Sequence, residues 1–346
     1  MNTNALKSFA QAARNKLKEQ IAAKLIYLLE ESTDTSELRG KQSTRSKVRD
    51  LCSNLGQEVL VDRVAYTWFN RFVALRYMDV NGYQPFHVMV VTPKEGDIIP
   101  EIISNAKAAD IRDELLTFTE KDELLHILDT SIGNPENEAY RILLVAACNY
   151  LNKLFPFLFE AIDDYTELLL PNDLTSPHSI IADVVKGMNK EDCSNVEIIG
   201  WLYQFYISER KDEVSGAKGK VEKEDIPAVT QLFTPRWIVE YMVQNTLGKL
   251  WLQNYPDSNL REVMPYYIET ECEDDFLPIN SPEELTLVDP ACGSGHILVY
   301  AFELLTYIYE EEGYRQRDIA QLILEKNLYG YEIDERAGQL AGLALY

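Results

Sequence analysis

The chain has 346 residues, 46% of them hydrophobic, which is enough to bury two separate cores, and its 56 acidic against 33 basic residues give a net charge of −23. Such an excess of acid weighs against a body that grips nucleic acid through phosphates alone, because those contacts dominate affinity. No apolar run approaches the length of a membrane span, no hydrophobic signal segment follows Met1, and five cysteines without Cys-x-x-Cys spacing suit a reducing compartment, so a cytoplasmic chain with no membrane partner is expected.

Leu6, Phe9, Ala13, Leu17, Ile21, Leu25 and Leu28 step by threes and fours and predict a long amphipathic opening helix. Gly40 to Ser46 reads as a polar break. The locally basic stretch around it, Arg39 to Arg49, is a solvated linker or a phosphate contact. Gln57 to Tyr77 predicts an aromatic-rich helix closed by Asn81-Gly82, and aromatics at this spacing belong to a core rather than to a base-stacking surface. His87 to Val91 reads as a short strand; Glu114 to Leu128, Glu138 to Leu158 and Asp192 to Ile207 read as further helices. The charged, glycine-containing run Asp212 to Lys223 is the expected flexible boundary, dividing a helical domain over 1–222 from a second domain over 223–346. His87, His126, His178 and His296 are isolated in sequence, so no metal is expected.

The second domain carries the chemistry. Thr234 followed by Pro235 reads as a hydroxyl cap and a proline at the first helical position, with Trp237, Ile238, Tyr241 and Met242 as the apolar face that follows. Further on, Leu287 and Val288 end a buried strand, Asp289-Pro290 stops it, and Ala291-Cys292-Gly293-Ser294-Gly295 turns into a helix through glycines that let backbone approach a ligand. After a second helical stretch, Asp318 to Lys326, the strand Leu328-Tyr-Gly-Tyr ends in Glu332, and Asp334 is expected to cap a helix from Glu335 to Leu345. A glycine loop beside a strand-end acid is the usual cradle for an adenosine-containing cofactor. Glu332 lies 43 positions after Asp289, whereas a dinucleotide fingerprint expects about 20, and its third glycine is missing. A nicotinamide enzyme is therefore disfavoured, and S-adenosylmethionine, with one ribose and no pyrophosphate, fits better.

Asp289-Pro-Ala-Cys-Gly-Ser-Gly295 resembles the first motif of amino-group DNA methyltransferases, as in type I modification subunits. Gln231-Leu-Phe-Thr-Pro-Arg236 resembles the motif just upstream in those enzymes, and Tyr329-Gly-Tyr-Glu-Ile-Asp334 the next one downstream. The helical segment Arg63 to Met78 is similar to that of the PglX (BrxX) family, the adenine methyltransferases of BREX phage-defence systems. The resemblance implies an α/β chain: a mainly helical N-terminal domain followed by the first part of a Rossmann-like S-adenosylmethionine-dependent methyltransferase domain. It implies cofactor contacts from Phe233, Thr234 and Pro235 at the methionine side and from Asp289, Pro290, Ala291, Cys292, Gly293, Ser294 and Gly295 in the pocket. Glu332 is implied as the ribose ligand, through charge-assisted bonds to the diol. Cys292 reads as a small side chain packed in the loop rather than a nucleophile.

Methylation of an adenine amine in this family needs an Asn/Asp-Pro-Pro-Tyr/Phe loop that binds the amine hydrogens and stacks on the flipped base. No such tetrapeptide occurs in the chain; Asn134-Pro-Glu and Met264-Pro-Tyr-Tyr267 lack its essential members. The expectation is a stretch that stops before the catalytic loop and holds no catalytic residue. Leu340, Leu343 and Leu345 would lie on an incomplete core, and the stretch would not methylate DNA alone. Double-stranded DNA is the implied partner, gripped mainly by a C-terminal region beyond Tyr346, with protein partners of a defence complex facing the acidic body. Three alternatives remain: a nicotinamide enzyme, opposed by the late acid and the lost glycine; a methylase of RNA or protein; and a non-catalytic interaction module or scaffold.

Overall fold

The computed structural model describes residues 1–30, 42–129, 133–159, 165–216, 220–269 and 275–346. The predicted polar break before Gln42, the middle of the Asp212–Lys223 run and most of the acidic run after Glu269 lie outside the described residues. The chain forms two compact units, Met1–Ile198 and Ile199–Tyr346. Their division falls ahead of the charged run where composition places it.

The first unit is helical. Helix α1 (Thr3–Leu29) buries Leu6, Ala13, Leu17, Ile21, Leu25 and Leu28, the predicted stripe, against α3. Helix α2 (Gln42–Leu55) begins within the residues predicted to be a polar break, because Val48 anchors it as a buried residue. Helix α3 (Gln57–Asn81) is buried on nearly every side from Leu60 to Asp79, so it is the central helix of the unit. Its aromatics are core, as their spacing predicts: Trp68 stacks on Phe72 at 5.4 Å and donates its indole N–H to the Thr166 carbonyl at 3.0 Å. Gly82 closes α3 in the left-handed conformation, φ 72°, donating its N–H to the Met78 carbonyl.

The predicted strand at His87–Val91 does not form. The buried carboxylate of Asp79 instead accepts the backbone N–H groups of Val90, Val91 and Thr92, each at 2.9 Å, and the Gln84 amide at 2.7 Å. A carboxylate supplies the acceptors that a neighbouring strand would have supplied. Helix α4 (Glu101–Lys107) follows. Helix α5 (Phe118–Leu128) starts four residues later than predicted, because Thr117 and Glu120 form a capping box that sets its first turn. Helix α6 (Pro135–Asn152) is capped by Asn134, which accepts the Asn137 N–H at 3.2 Å, so Asn134-Pro135 is a helix start. Short helices α7 (Tyr165–Leu168), α8 (Ile180–Gly187) and α9 (Lys190–Cys193) complete the unit. The single helix predicted from Asp192 to Ile207 is thus broken near Ser194, and α10 (Glu197–Gly216) is a separate element.

The second unit contains most of α10, then α11 (Ile226–Thr230) and α12 (Arg236–Val243), a π-turn over Gln244–Gly248, and α13 (Lys249–Asn254). Strand β1 (Leu287–Asp289) leads to α14 (His296–Glu311) and α15 (Gln316–Leu322), a second π-turn over Ile323–Asn327, and β2 (Leu328–Gly330); α16 (Glu335–Leu345) closes the unit. The two strands pair in parallel, Leu287 with Leu328, Val288 with Tyr329 and Asp289 with Gly330, joined by the helical crossover that parallel pairing requires. Helix α14 packs on both strands and, with α12 and α13, encloses a core built around Trp251, Leu304, Leu305, Ile308 and Ile323. Leu340 and Leu343 of α16 are buried within this unit's own packing, while Leu345 is only partly so. The second π-turn has a structural purpose: buried Asn327 donates to the carbonyls of Pro282 and Leu285, each at 2.7 Å, and accepts the Tyr309 hydroxyl at 2.9 Å. Among the described residues no helix is long and apolar enough to cross a membrane.

Candidate cofactor site

The loop between β1 and α14 is shaped by its own residues before any ligand is considered. Asp289 folds back so that its carboxylate accepts the Ala291 N–H at 3.1 Å. Gly293 and Gly295 take φ +55° and +84°, conformations costly for other residues. At Gly295 a side chain is also excluded by space: a Cβ there would lie 2.9 Å from the Ala341 Cβ on α16. The loop therefore opens onto α14 with its helix N-terminus and flanking amides close to the strand ends.

Parallel pairing runs past the named strands. Tyr331 donates its N–H to the Asp289 carbonyl at 2.9 Å, and Cys292 donates to the Tyr331 carbonyl at 3.0 Å. These bonds bring Glu332 alongside the glycine loop. One Glu332 oxygen accepts the Gly293 N–H at 2.6 Å and the other the Asp334 N–H at 2.9 Å. The strand-end acid and the glycine loop thus meet directly. Asp334 caps α16 by accepting the Arg336 N–H at 3.1 Å, the role predicted for it.

Burial raises the pKa of Asp289, the nearby Glu332 charge adds to the rise, and the Ala291 amide opposes it. Burial, then the charges of Asp289 and Glu332, push the Cys292 thiol up to about 11. A thiol so disposed is protonated at neutral pH and is no nucleophile. Its sulfur instead packs against β2, where a Cβ on Gly330 would lie 3.1 Å from it.

The Gln231–Arg236 segment reaches the same loop. The Gln231 amide lies over Gly293, 3.3 Å from where a Cβ would stand, and the buried Phe233 ring stacks on His296 at 4.4 Å with an interplanar angle of 6°. Thr234 does not cap α12 as predicted. The cap is Pro235, whose carbonyl accepts the N–H groups of Ile238 and Val239 at 3.0 and 3.3 Å. Proline's fixed φ is tolerated there with an extended ψ, which shifts the helix start by one residue and leaves Thr234 half-buried at the loop. Pro290 and Ala291 are exposed, whereas Asp289 and Ser294 are buried.

Sequence spacing does not reveal the part played by α10. Gln204 accepts the Phe233 N–H at 2.5 Å, Tyr203 donates its hydroxyl to the Asp334 carboxylate, and Lys211 donates to the Gln231 carbonyl at 3.1 Å. One signal was present: Gly200 inside a predicted helix marks a close approach, and here Phe233 fills the space.

Comparison with known proteins follows the same lines. Residues 280–346, which contain β1, the glycine loop and β2, match the family described as MmeI, DNA-methyltransferase domain. The adenine-specific methyltransferase BrxX of Escherichia coli O9:H4 (strain HS) is 43% identical over 374 residues, covering 100% of this chain and 30% of that protein. The adenine-specific methyltransferase PglX of Lacticaseibacillus casei (strain Zhang) is 37% identical over 393 residues, covering 100% of this chain and 32% of that protein. The chain is a full-length match to part of the BrxX and PglX adenine-specific methyltransferases. A putative type II restriction enzyme and methyltransferase of Methanocaldococcus jannaschii is 25% identical over 172 residues, 44% of this chain and 14% of its own length. The chain spans about a third of the length of the BrxX and PglX proteins it matches. Their match covers the helical first unit as well as the glycine loop and the strand-end Glu332.

Proposed function

We propose that this chain supplies the S-adenosylmethionine-binding part of a site-specific DNA adenine methyltransferase, acting in a phage-defence (BREX) or restriction-modification setting. The parallel β1–β2 pair with its crossover helices is read as the start of a Rossmann-like domain beginning near residue 223. The observation that carries the assignment is the direct contact between the Glu332 carboxylate and Gly293 of the glycine loop. It supports one pocket with a diol-binding acid at one wall and close-approaching backbone at the other.

The donor set fits this cofactor better than a dinucleotide. Asp289 and Glu332 give the loop two carboxyl groups, which attract a sulfonium cation and repel a pyrophosphate. Bound there, S-adenosylmethionine supplies an electrophilic methyl group. On this reading Glu332 accepts from the ribose hydroxyls with lone pairs that its two amide partners leave over. Asp289 to Gly295 shape the pocket, and Phe233, Thr234 and Pro235 line the methionine side. Orientation of an in-line displacement is what such a pocket contributes, more than any strong base. The Asn/Asp-Pro-Pro-Tyr/Phe loop that holds the adenine amine in this family is not among the 346 residues. Duplex DNA is accordingly proposed to contact mainly residues outside this stretch, in keeping with its charge of −23. A cytoplasmic location is proposed because five cysteines without Cys-x-x-Cys spacing suit a reducing compartment.

Isothermal titration of the 346-residue chain with S-adenosylmethionine tests the assignment. Binding is expected, Glu332→Ala should cost on the order of 1–3 kcal/mol of affinity, and methyl transfer to an adenine-containing duplex should be absent. Equal affinity in the variant removes Glu332 from the ribose.

A further inference from the structure

We propose that α10 is a positioning element of the cofactor cradle, in which Gln204, Tyr203 and Gly200 fix the spacing between the Phe233–Thr234 segment and the Glu332–Asp334 turn. The inference rests on the cofactor reading above and deepens it, because none of the three residues lies within a cofactor motif.

Residues 231–235 are irregular, so their backbone groups must find partners outside a helix or sheet. The Phe233 N–H finds the Gln204 side chain at 2.5 Å, and the Gln231 carbonyl finds Lys211 at 3.1 Å, two turns further along the same helix. The adjacent residue on α10, Tyr203, points elsewhere because successive helical side chains diverge. Its buried hydroxyl meets Asp334, whose own N–H is held by Glu332. One turn earlier, Gly200 leaves the space that Phe233 and the loop occupy. A Cβ there would stand 2.2 Å from a Phe233 ring carbon and 2.8 Å from the Ser294 hydroxyl. A glycine inside a helix is otherwise unfavourable.

One rigid helix therefore touches the upstream segment, the glycine loop and the turn after β2. Displacing a binding group by about 1 Å is enough to cost affinity or rate heavily, so a single element spanning all three sets the width of the pocket.

The test measures S-adenosylmethionine affinity by calorimetry and stability by urea unfolding for the 346-residue chain and three variants. Gln204→Leu removes the acceptor, Tyr203→Phe removes the donor, and Gln204→Glu keeps an acceptor for the Phe233 N–H. The first two are expected to bind about tenfold more weakly, with Gln204→Glu within about twofold of the parent. Parent-like affinity in both Gln204→Leu and Tyr203→Phe overturns the proposal, as does a Gln204→Glu variant as weak as Gln204→Leu. If Gln204→Leu does not fold, Tyr203→Phe and Gln204→Glu decide by the same criteria. A parent chain that binds no S-adenosylmethionine fails the cofactor reading itself, an outcome distinct from these.

Discussion

Asp79 shows how much one side chain can organise. Its carboxylate gathers three consecutive amides and the Gln84 side chain, replacing a strand with a loop wrapped around a buried acceptor. Asn in its place has one acceptor oxygen and turns N–H groups toward N–H groups. Asp79→Asn is expected to destabilise the first unit by about 3 kcal/mol, read as a lower urea midpoint; a loss below about 0.5 kcal/mol would mean the loop does not depend on it. This residue was not legible in the sequence, because its donors lie 11 to 13 positions downstream and no local pattern ties an aspartate to them. Asp334 was legible, because a helix cap acts on amides two or three residues away.

Among elements, the clearest contrast is between two left-handed glycines. A Cβ at Gly82, at the end of α3, would meet nothing within 4 Å, whereas one at Gly295 would meet α16 at 2.9 Å. Gly82→Ala is expected to cost about 1–2 kcal/mol for its backbone alone. Gly295→Ala should add a further ~1–3 kcal/mol of crowding, an ordering that unfolding midpoints of the two variants would check. Helix α1 was readable to within a few residues because its periodicity marks a buried face, and α3 because its long apolar and aromatic run ends at Asn81-Gly82. Ends were harder to read where a local motif intervened. The Thr117–Glu120 box delays α5, and Pro235 displaces Thr234 as the cap of α12. Strand β1 and the glycine loop were legible because apolar residues, a strand-stopping Asp-Pro and paired glycines coincide within ten positions, although Val288, read as buried, is exposed; β2 was legible from the short run Leu328-Tyr-Gly-Tyr ahead of Glu332. The contribution of α10 was not, since hydrogen bonds spanning 29 and 131 positions leave no spacing to detect.

At the scale of the whole chain, 56 acidic residues against 33 basic ones make self-repulsion a general cost of folding. Melting temperature should therefore rise as sodium chloride is increased from about 0.01 M to 1 M, where the screening length falls from roughly 30 Å to 3 Å. A fall would show that ion pairs such as Arg236–Glu303, at 2.6 Å, outweigh the net repulsion. The division into two units also alters how the sequence is parsed. A charged, glycine-containing run looks like a hinge, yet α10 continues to Gly216 and shares its hydrogen bonds with the C-terminal motifs. The pairing of Asp289 and Glu332 at one loop has a consequence for turnover on the proposed reading. Once the methyl group has left, the sulfur of the spent donor is a neutral thioether, so the carboxyl groups lose their attraction for a sulfonium charge while Glu332 keeps its bond to the diol. The by-product is then held by shape and hydrogen bonds alone, and charge discriminates reagent from by-product at the sulfur only.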